Sequence, residues 1–273
     1  MDRKWILVSL LVFILIGSIF LFISECSETH LNQNEVEKID KHKTEFTFAV
    51  YGDSRNSSGR FEEMLKDINN KNVLFSVHDG DMVWAGSYDE FRKYLKQIEI
   101  SNVPVLTVIG NHELYIQNSS DNYRQIFGPT YYSFAAKNSY FIMVDDTQYS
   151  GLDRAQMDWL KNELIRGQKY KYRFVFFHVP LYDPSKGQYV QNHSLNNLQN
   201  AKELNNIFDK YNVTMIFTSH VHGYYNGTWG KTPFILTGGA GAPLHNSSSE
   251  HAFYHYILVH VTNDEVKYET VRF

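Results

Sequence analysis

Five apolar runs in this 273-residue chain each lead into a short polar motif, and their order narrows the folds open to it. Residues 46–51 run into Gly52-Asp53-Ser54-Arg55, residues 73–77 lead through His78-Asp79 to Gly80-Asp81, and residues 104–109 run into Gly110-Asn111-His112-Glu113. His178 follows 174–177, and Ser219-His220-Val221-His222 follows 215–218. One polar residue at a strand end is ordinary, because turns favour such residues. Five in series form a pattern.

The stretches between these runs have helical spacing. Phe61, Met64, Leu65 and Ile68 share a face over 59–70, as do Phe91, Tyr94, Leu95 and Ile98 over 88–98. With strands at 46–51, 73–77 and 105–109 the order is βαβαβ, which requires a parallel sheet with covering helices. Ligands of such sheets collect at the carboxyl ends of the strands, where Asp53, Asp81 and Asn111 stand.

Further along, 118–127 reads as a loop or short helix. Strands at 131–135 and 139–144 form a hairpin turning at Lys137-Asn138, and a helix over 153–166 is capped by Asp153. A strand at 173–177, a helix at 196–210 and a strand at 213–218 continue the α/β rhythm. Strands at 234–237, 252–261 and 266–272 have no helices between them, so the chain finishes antiparallel. No internal repeat or second domain boundary is visible.

With 43% hydrophobic and 15% aromatic residues, the chain can bury a substantial core. A net charge of −4 offers no general basic field, so nucleic acid is not expected as a partner. The single Cys26 excludes an intrachain disulfide framework and leaves no thiolate inside the folded part. Any metal must be held by nitrogen and oxygen, a donor set that suits Zn, Mn, Fe, Ni or Co.

The N-terminus is a separate object. Residues 5–24 carry no charge and as a helix would span about 30 Å, the thickness of a bilayer core. Arg3 and Lys4 precede them, which favours export of the chain beyond residue 24. The expectation is a transmembrane helix acting as a signal anchor over 1–25, with a cleaved signal peptide as the alternative; residues 24–27 match a cleavage site poorly. Cys26 is placed for lipidation, although Glu25 before it fits that pattern badly.

Residues 26–43 are polar without apolar periodicity and read as a tether, leaving 44–273 as the folded domain. The protein is then single-pass in the cell membrane, with its domain outside the cytoplasm. Six Asn-x-Ser/Thr sequons, beginning at Asn56, Asn118, Asn192, Asn212, Asn226 and Asn246, are consistent with export.

Read in order, GDSR (52–55), GDMVW (80–84), GNHE (110–113), HVPLY (178–182), SHVHGYY (219–225) and the glycine-rich loop 237–244 resemble the calcineurin-like metallophosphoesterase superfamily. Within it the chain is most similar to purple acid phosphatase-like members, over about 46–273. The resemblance implies a four-layer α/β/β/α sandwich with mixed sheets and a centre for two divalent or trivalent metal ions. It implies that Asp81 bridges them, that Asn111, His178 and His220 complete one shell, and that Asp53 and His222 serve the other. His112 would stand beside them as proton donor and phosphate contact.

The implied reaction is attack of a metal-held hydroxide on a small phosphorylated substrate. A phosphomonoester is the first reading, and a diester or nucleotide the alternatives. The residues alone support a cation: oxygen donors, an amide and imidazoles on one sheet edge need one to offset their charge. His220 and His222, two apart, would share a face of a straight strand.

Two positions depart from the family pattern. A third-position His is replaced by Arg55, whose guanidinium cannot bind metal, and a Tyr three residues after the bridging Asp is replaced by Trp84. The Asp53-side metal is therefore expected to be the weaker one. Arg55 either clamps a phosphate oxygen or pairs with Asp53. The rival reading is a non-catalytic surface binding protein with one metal.

Secondary candidates are His78 as an orienting residue and His245 near the pocket. Tyr182, Tyr224 and Tyr225 are cleft liners or packing residues, and 238–241 is a phosphate cradle or a close-approach loop.

Overall fold

Alternation along the strands sorts the apolar side chains into three separate cores. On β1 (Phe46–Tyr51), Phe46, Phe48 and Val50 enter one core, while Ala49 and Tyr51 enter another. On β6 (Tyr172–Phe176), Phe174 and Phe176 join Phe48, while Val175 turns the opposite way. A strand buried on both faces reads as a near-continuous hydrophobic run, as these do. The computed structural model describes residues 30–42, 45–116, 118–184, 193–244 and 250–273.

The strands form two mixed sheets. In the first, β1, β2 (Val73–Asp79) and β3 (Val105–Val108) run parallel, and β10 (His255–Val261) and β11 (Val266–Arg272) continue antiparallel from β1. The second has the order β4 (Tyr132–Ala136), β5 (Ser139–Met143), β6, β7 (Met215–Thr218), β9 (Thr232–Thr237), β8 (Tyr224–Trp229). Its four central strands are parallel, and β4 and β8 are antiparallel edges.

An aromatic core joins the sheets. Phe48 stacks on Phe75 at 5.4 Å and meets Phe141 and Phe174 edge-on at 5.4 and 5.2 Å. Each such pair contributes about 0.5–1.5 kcal/mol beyond its buried area. Helices α2 (Arg60–Ile68), α3 (Tyr88–Ile98) and α4 (Asp121–Phe127) cover the first sheet through Phe61, Met64, Phe91 and Phe127. Helices α5 (Arg154–Gly167) and α6 (Leu198–Lys210) cover the second through Leu160, Leu164, Leu204 and Phe208. The layers are α/β/β/α.

Local signals set the helix starts. Ser87 and Glu90 form a reciprocal capping box on α3, and the Asp153 carboxylate accepts from Gln156 N–H at 2.8 Å. The hairpin turns at Lys137, which takes φ 54°. Strand β8 has no counterpart among the elements expected from the sequence. It is an edge strand with exposed Asn226, Gly227 and Thr228, so its pattern is weak.

The expected tether is different. Within 26–43, residues Leu31–Lys38 form helix α1, which packs against β3. Asn32 is buried, its Nδ2 donating to Thr107 Oγ1 at 3.0 Å and its Oδ1 accepting from Thr107 N–H at 2.9 Å. Ile39 enters the inter-sheet core. Asn32, Ile39 and the partly buried Leu31 and Val36 dock this segment, a set too short and irregular to show as periodicity, and the packed unit starts at Leu31 rather than at residue 44.

The expected membrane span 5–24, Cys26 and His245 lie outside the described residues. Among those described, no helix is long and apolar enough to cross a membrane.

Replacing Asn32 with Ala strands the buried Thr107 N–H and should lower stability by about 1–3 kcal/mol. Urea denaturation measures it, and a loss below about 0.5 kcal/mol would mean that α1 is not an integral part of the packed unit.

Candidate metal centre

Three of the candidate metal donors sit in the left-handed backbone region: Asp53 (φ 63°), Asp81 (φ 57°) and His220 (φ 68°). Non-glycine residues rarely adopt it, and strain of this kind persists only where its surroundings enforce it. Each lies within two residues of the carboxyl end of β1, β2 or β7. The loops after β1 and β2 run side by side, with Asp53 N–H on Gly80 O at 3.1 Å, Arg55 N–H on Asp81 O at 3.0 Å and Asn56 N–H on Met82 O at 2.9 Å.

Glycine is required where the loops converge. A Cβ on Gly80 would lie 2.3 Å from His178 Nδ1, and one on Gly238 would lie 2.9 Å from Asp53 Oδ2.

These loops bring all the sequence-predicted donors into one place. His178 Nε2 lies 3.2 Å from each of Asp81 Oδ1, Asn111 Oδ1 and His220 Nδ1. His222 Nε2 lies 3.2 Å from Asp53 Oδ1. One donor atom each from Asp81, His178 and His220 fall within 4.8 Å of one another, and so do one each from Asp53, Asp81 and His222. Asp81 is common to both groups.

The donor set fits metal ions. His178 Nδ1–H donates to Asp79 O at 3.0 Å and His222 Nδ1–H to Pro243 O at 2.5 Å, so each imidazole turns Nε2 toward the carboxylates. Fixing a ring this way is how backbone carbonyls prepare histidine ligands. Burial opposes a charge on His178, yet Asp81 and Asp53 outweigh it and hold its pKa up at about 10. A field that retains a proton there favours any cation at that point.

His220 and His222 do not lie on a straight strand, because β7 ends at Thr218 and His220 turns left-handed. The two rings therefore enter different donor groups.

Arg55 also settles differently from expectation. Its salt-bridge partner is Asp81 rather than Asp53: Nη2 and Nε lie 2.8 and 3.3 Å from Asp81 Oδ2. His112 donates its backbone N–H to Asp81 Oδ1 at 3.0 Å and its Nδ1–H to Trp84 O at 2.7 Å, leaving Nε2 3.8 Å from Asp81 Oδ2. Burial draws the His112 pKa down, aided by the nearby Arg55 charge and opposed by Asp81.

Glu113 closes the GNHE motif, and its sequence position announces no role. In the fold its carboxylate accepts from Gly110 N–H at 2.6 Å, Asp81 N–H at 2.9 Å and Val83 N–H at 3.2 Å, so it fixes the loop that carries Asp81. Burial, with Asp81 beside it, pushes its pKa up to about 8. Asp146 similarly accepts the N–H of His178 at 3.0 Å and of Val179. Tyr149 OH lies 3.4 Å from His220 Nε2. A polar residue within or just after a strand end was the available signal for Asp146. Nothing local marked Tyr149.

The secondary candidates mostly turn out to be packing. His78 packs in a cluster with Phe61 and Tyr94, at 5.4 and 5.3 Å, and burial lowers its pKa to about 3. Tyr225 is buried against His251 at 4.2 Å, and Tyr182 packs on Trp229. The exposed aromatics near Arg55 and His112 are Trp84 and Tyr115. In the loop at 238–241, Gly238 and Ala240 donate their N–H groups to Gly223 O and Gly52 O, and a Cβ on Gly238 or Gly239 would lie 2.5 Å from Val221 O or 2.2 Å from His255 Nδ1, which makes it a close-approach loop.

The family model for calcineurin-like phosphoesterases matches residues 46–224, and the chain belongs to that family, a class of hydrolases. Purple acid phosphatase 13 of Arabidopsis thaliana is 27% identical over 189 residues, covering 61% of this chain and 34% of the plant protein. The 3',5'-cyclic adenosine monophosphate phosphodiesterase CpdA of Haemophilus influenzae is 24% identical, covering 67% of each. The purple acid phosphatase PPD1 from yellow lupin seeds superposes with a TM-score of 0.68 at 18% identity, over 85% of this chain and 52% of its own. The chain thus spans about a third to a half of the plant proteins it matches.

Glu113→Gln keeps the size but replaces one acceptor oxygen with a donor NH2 that faces a backbone N–H. Metal affinity should fall about 10–100-fold, read by isothermal titration calorimetry, with the circular dichroism spectrum unchanged. An unchanged affinity would refute its positioning role.

Proposed function

We propose that this chain is a metal-dependent phosphomonoesterase whose folded part faces outside the cytoplasm, tethered by the apolar segment 5–24. One observation carries the reading: two nitrogen and oxygen donor groups share the buried carboxylate of Asp81. Asp81, Asn111, His178 and His220 would hold one metal ion, and Asp53, His222 and Asp81 are the donors toward a second position. Bound metal would lower the pKa of a water to make it nucleophilic near neutral pH and offset the charge on phosphate.

The chain's own groups supply the rest. Two nitrogens of Arg55 hold Asp81, which leaves Nη1 for a phosphate oxygen. The extra positive charge suits the dianion of a monoester better than a singly charged diester. His112, anchored through Nδ1–H on Trp84 O, presents Nε2 on the same side as Asp81 Oδ2; the charge of a bound phosphate would counter its lowered pKa and bring a proton to Nε2, which then protonates the leaving oxygen. A phosphoryl transition state asks the protein mainly for positioning and electrostatics.

Phosphatases and a cyclic-nucleotide phosphodiesterase among the relatives support the phosphoester class. The rival, a one-metal binding protein without turnover, is favoured by the Arg55–Asp81 pair, which puts a cation of the protein where metal charge would stand.

The full chain, loaded with Mn or Zn, should hydrolyse p-nitrophenyl phosphate, and Asp81→Ala should abolish turnover. His112→Ala should slow an alkyl phosphate about 10²–10⁴-fold, and p-nitrophenyl phosphate much less because its leaving group needs no proton. Absence of turnover in the metal-loaded protein supports the rival instead. For the orientation, protease added to intact cells should cleave the domain, and protection contradicts export.

A further inference from the structure

The two residues that depart from the family pattern touch each other. The guanidinium of Arg55 lies 5.3 Å from the Trp84 ring centroid, on a face where an indole attracts cations. Its other side engages Asp81 Oδ2 through Nη2 and Nε. Asp81 Oδ1 meanwhile faces His178 Nε2 and accepts the His112 N–H. One oxygen of the shared carboxylate serves the imidazole group and the other serves a guanidinium.

Arg55 is not placed to swing away. Its backbone takes φ 46° and its N–H is bonded to Asp81 O at 3.0 Å, so the side chain starts inside the site. That side chain is only 10% exposed. A guanidinium taken out of water this far stays because carboxylate pairing compensates, and Asp81 is its ion-pair partner.

Charge then limits what else the site can hold. Asp53 and Asp81 bring two negative charges. One divalent ion and the guanidinium already exceed them, and a second divalent ion would have to share Asp81 with a fixed cation in a buried setting. Repulsion between charges a few ångströms apart there is poorly screened.

Building on the phosphoesterase reading, we propose that Arg55, held by Trp84, replaces the charge of the second metal ion, so that the chain binds one metal tightly in the Asp81, Asn111, His178 and His220 group. Asp53 and His222 then shape the site and the Arg55 environment. The phosphate meets one metal ion and one guanidinium.

Metal stoichiometry tests this without reference to activity. The metal-stripped full chain is titrated with Mn(II) by isothermal titration calorimetry, and bound metal is counted by mass spectrometry after buffer exchange. Wild type should retain one ion per chain, with any second ion at least about tenfold weaker. Arg55→His, which removes the fixed charge and adds a donor, should retain two. Arg55→Met should strengthen the second ion, and Arg55→Lys, which keeps the charge, should stay at one.

If Arg55→Met does not fold, the His and Lys variants still decide. Two ions of similar affinity in wild type, or one ion in both Arg55→His and Arg55→Met, overturn the proposal and leave the phosphoesterase reading standing. No bound ion in wild type overturns both.

Discussion

A fully buried carboxylate, that of Asp81, is the constraint that sets the arrangement of the site. Removing such a charge from water costs several kcal/mol unless partners replace the solvent. Here the partners come from separate stretches of chain: Arg55 from the loop after β1, the His112 N–H from the loop after β3, and His178 from the loop after β6. Their charges draw Asp81 well below the ordinary carboxylate range despite the desolvation that opposes it. Only a fold that delivers several strand ends to one edge can assemble that set.

The two sheets provide that edge. The stacked phenylalanines between them bind β1, β2, β6 and β7 into one rigid block without using any polar side chain. The polar residues beyond the strand ends are thereby free to be strained and buried, as the left-handed Asp53, Asp81 and His220 are. Glu113 and Asp146 extend the scheme by tying the backbones of Asp81 and His178 in place. Positioning is achieved by buried carboxyl groups bonded to the backbone N–H groups of the donor residues.

Much of this was legible in the sequence because it rests on short-range pattern. Period-two and period-3.6 apolar spacing marked β1, α2, β2 and α3 to within a few residues, and Asp153 announced its helix. The donor residues were legible as polar positions at strand ends. What was hidden depends on contacts distant in the chain: α1 is docked through Asn32 and Thr107, 75 residues apart, and β8 forms because β9 offers it an edge. Arg55 could be read as a departure, but its choice of Asp81 over Asp53 is set by how two loops run together. His78 looked functional from its place near Asp81, yet as the penultimate residue of β2 it points into the aromatic helix-covered face.

In the proposed function Asp81 organises a metal centre with Asn111, His178 and His220. A crystal of the full chain soaked in Mn(II), measured where manganese scatters anomalously, tests it most directly. An anomalous peak is expected within coordination distance of Asp81 Oδ1, Asn111 Oδ1, His178 Nε2 and His220 Nδ1. A crystal with no peak among those four atoms, or with manganese bound only elsewhere, would contradict it.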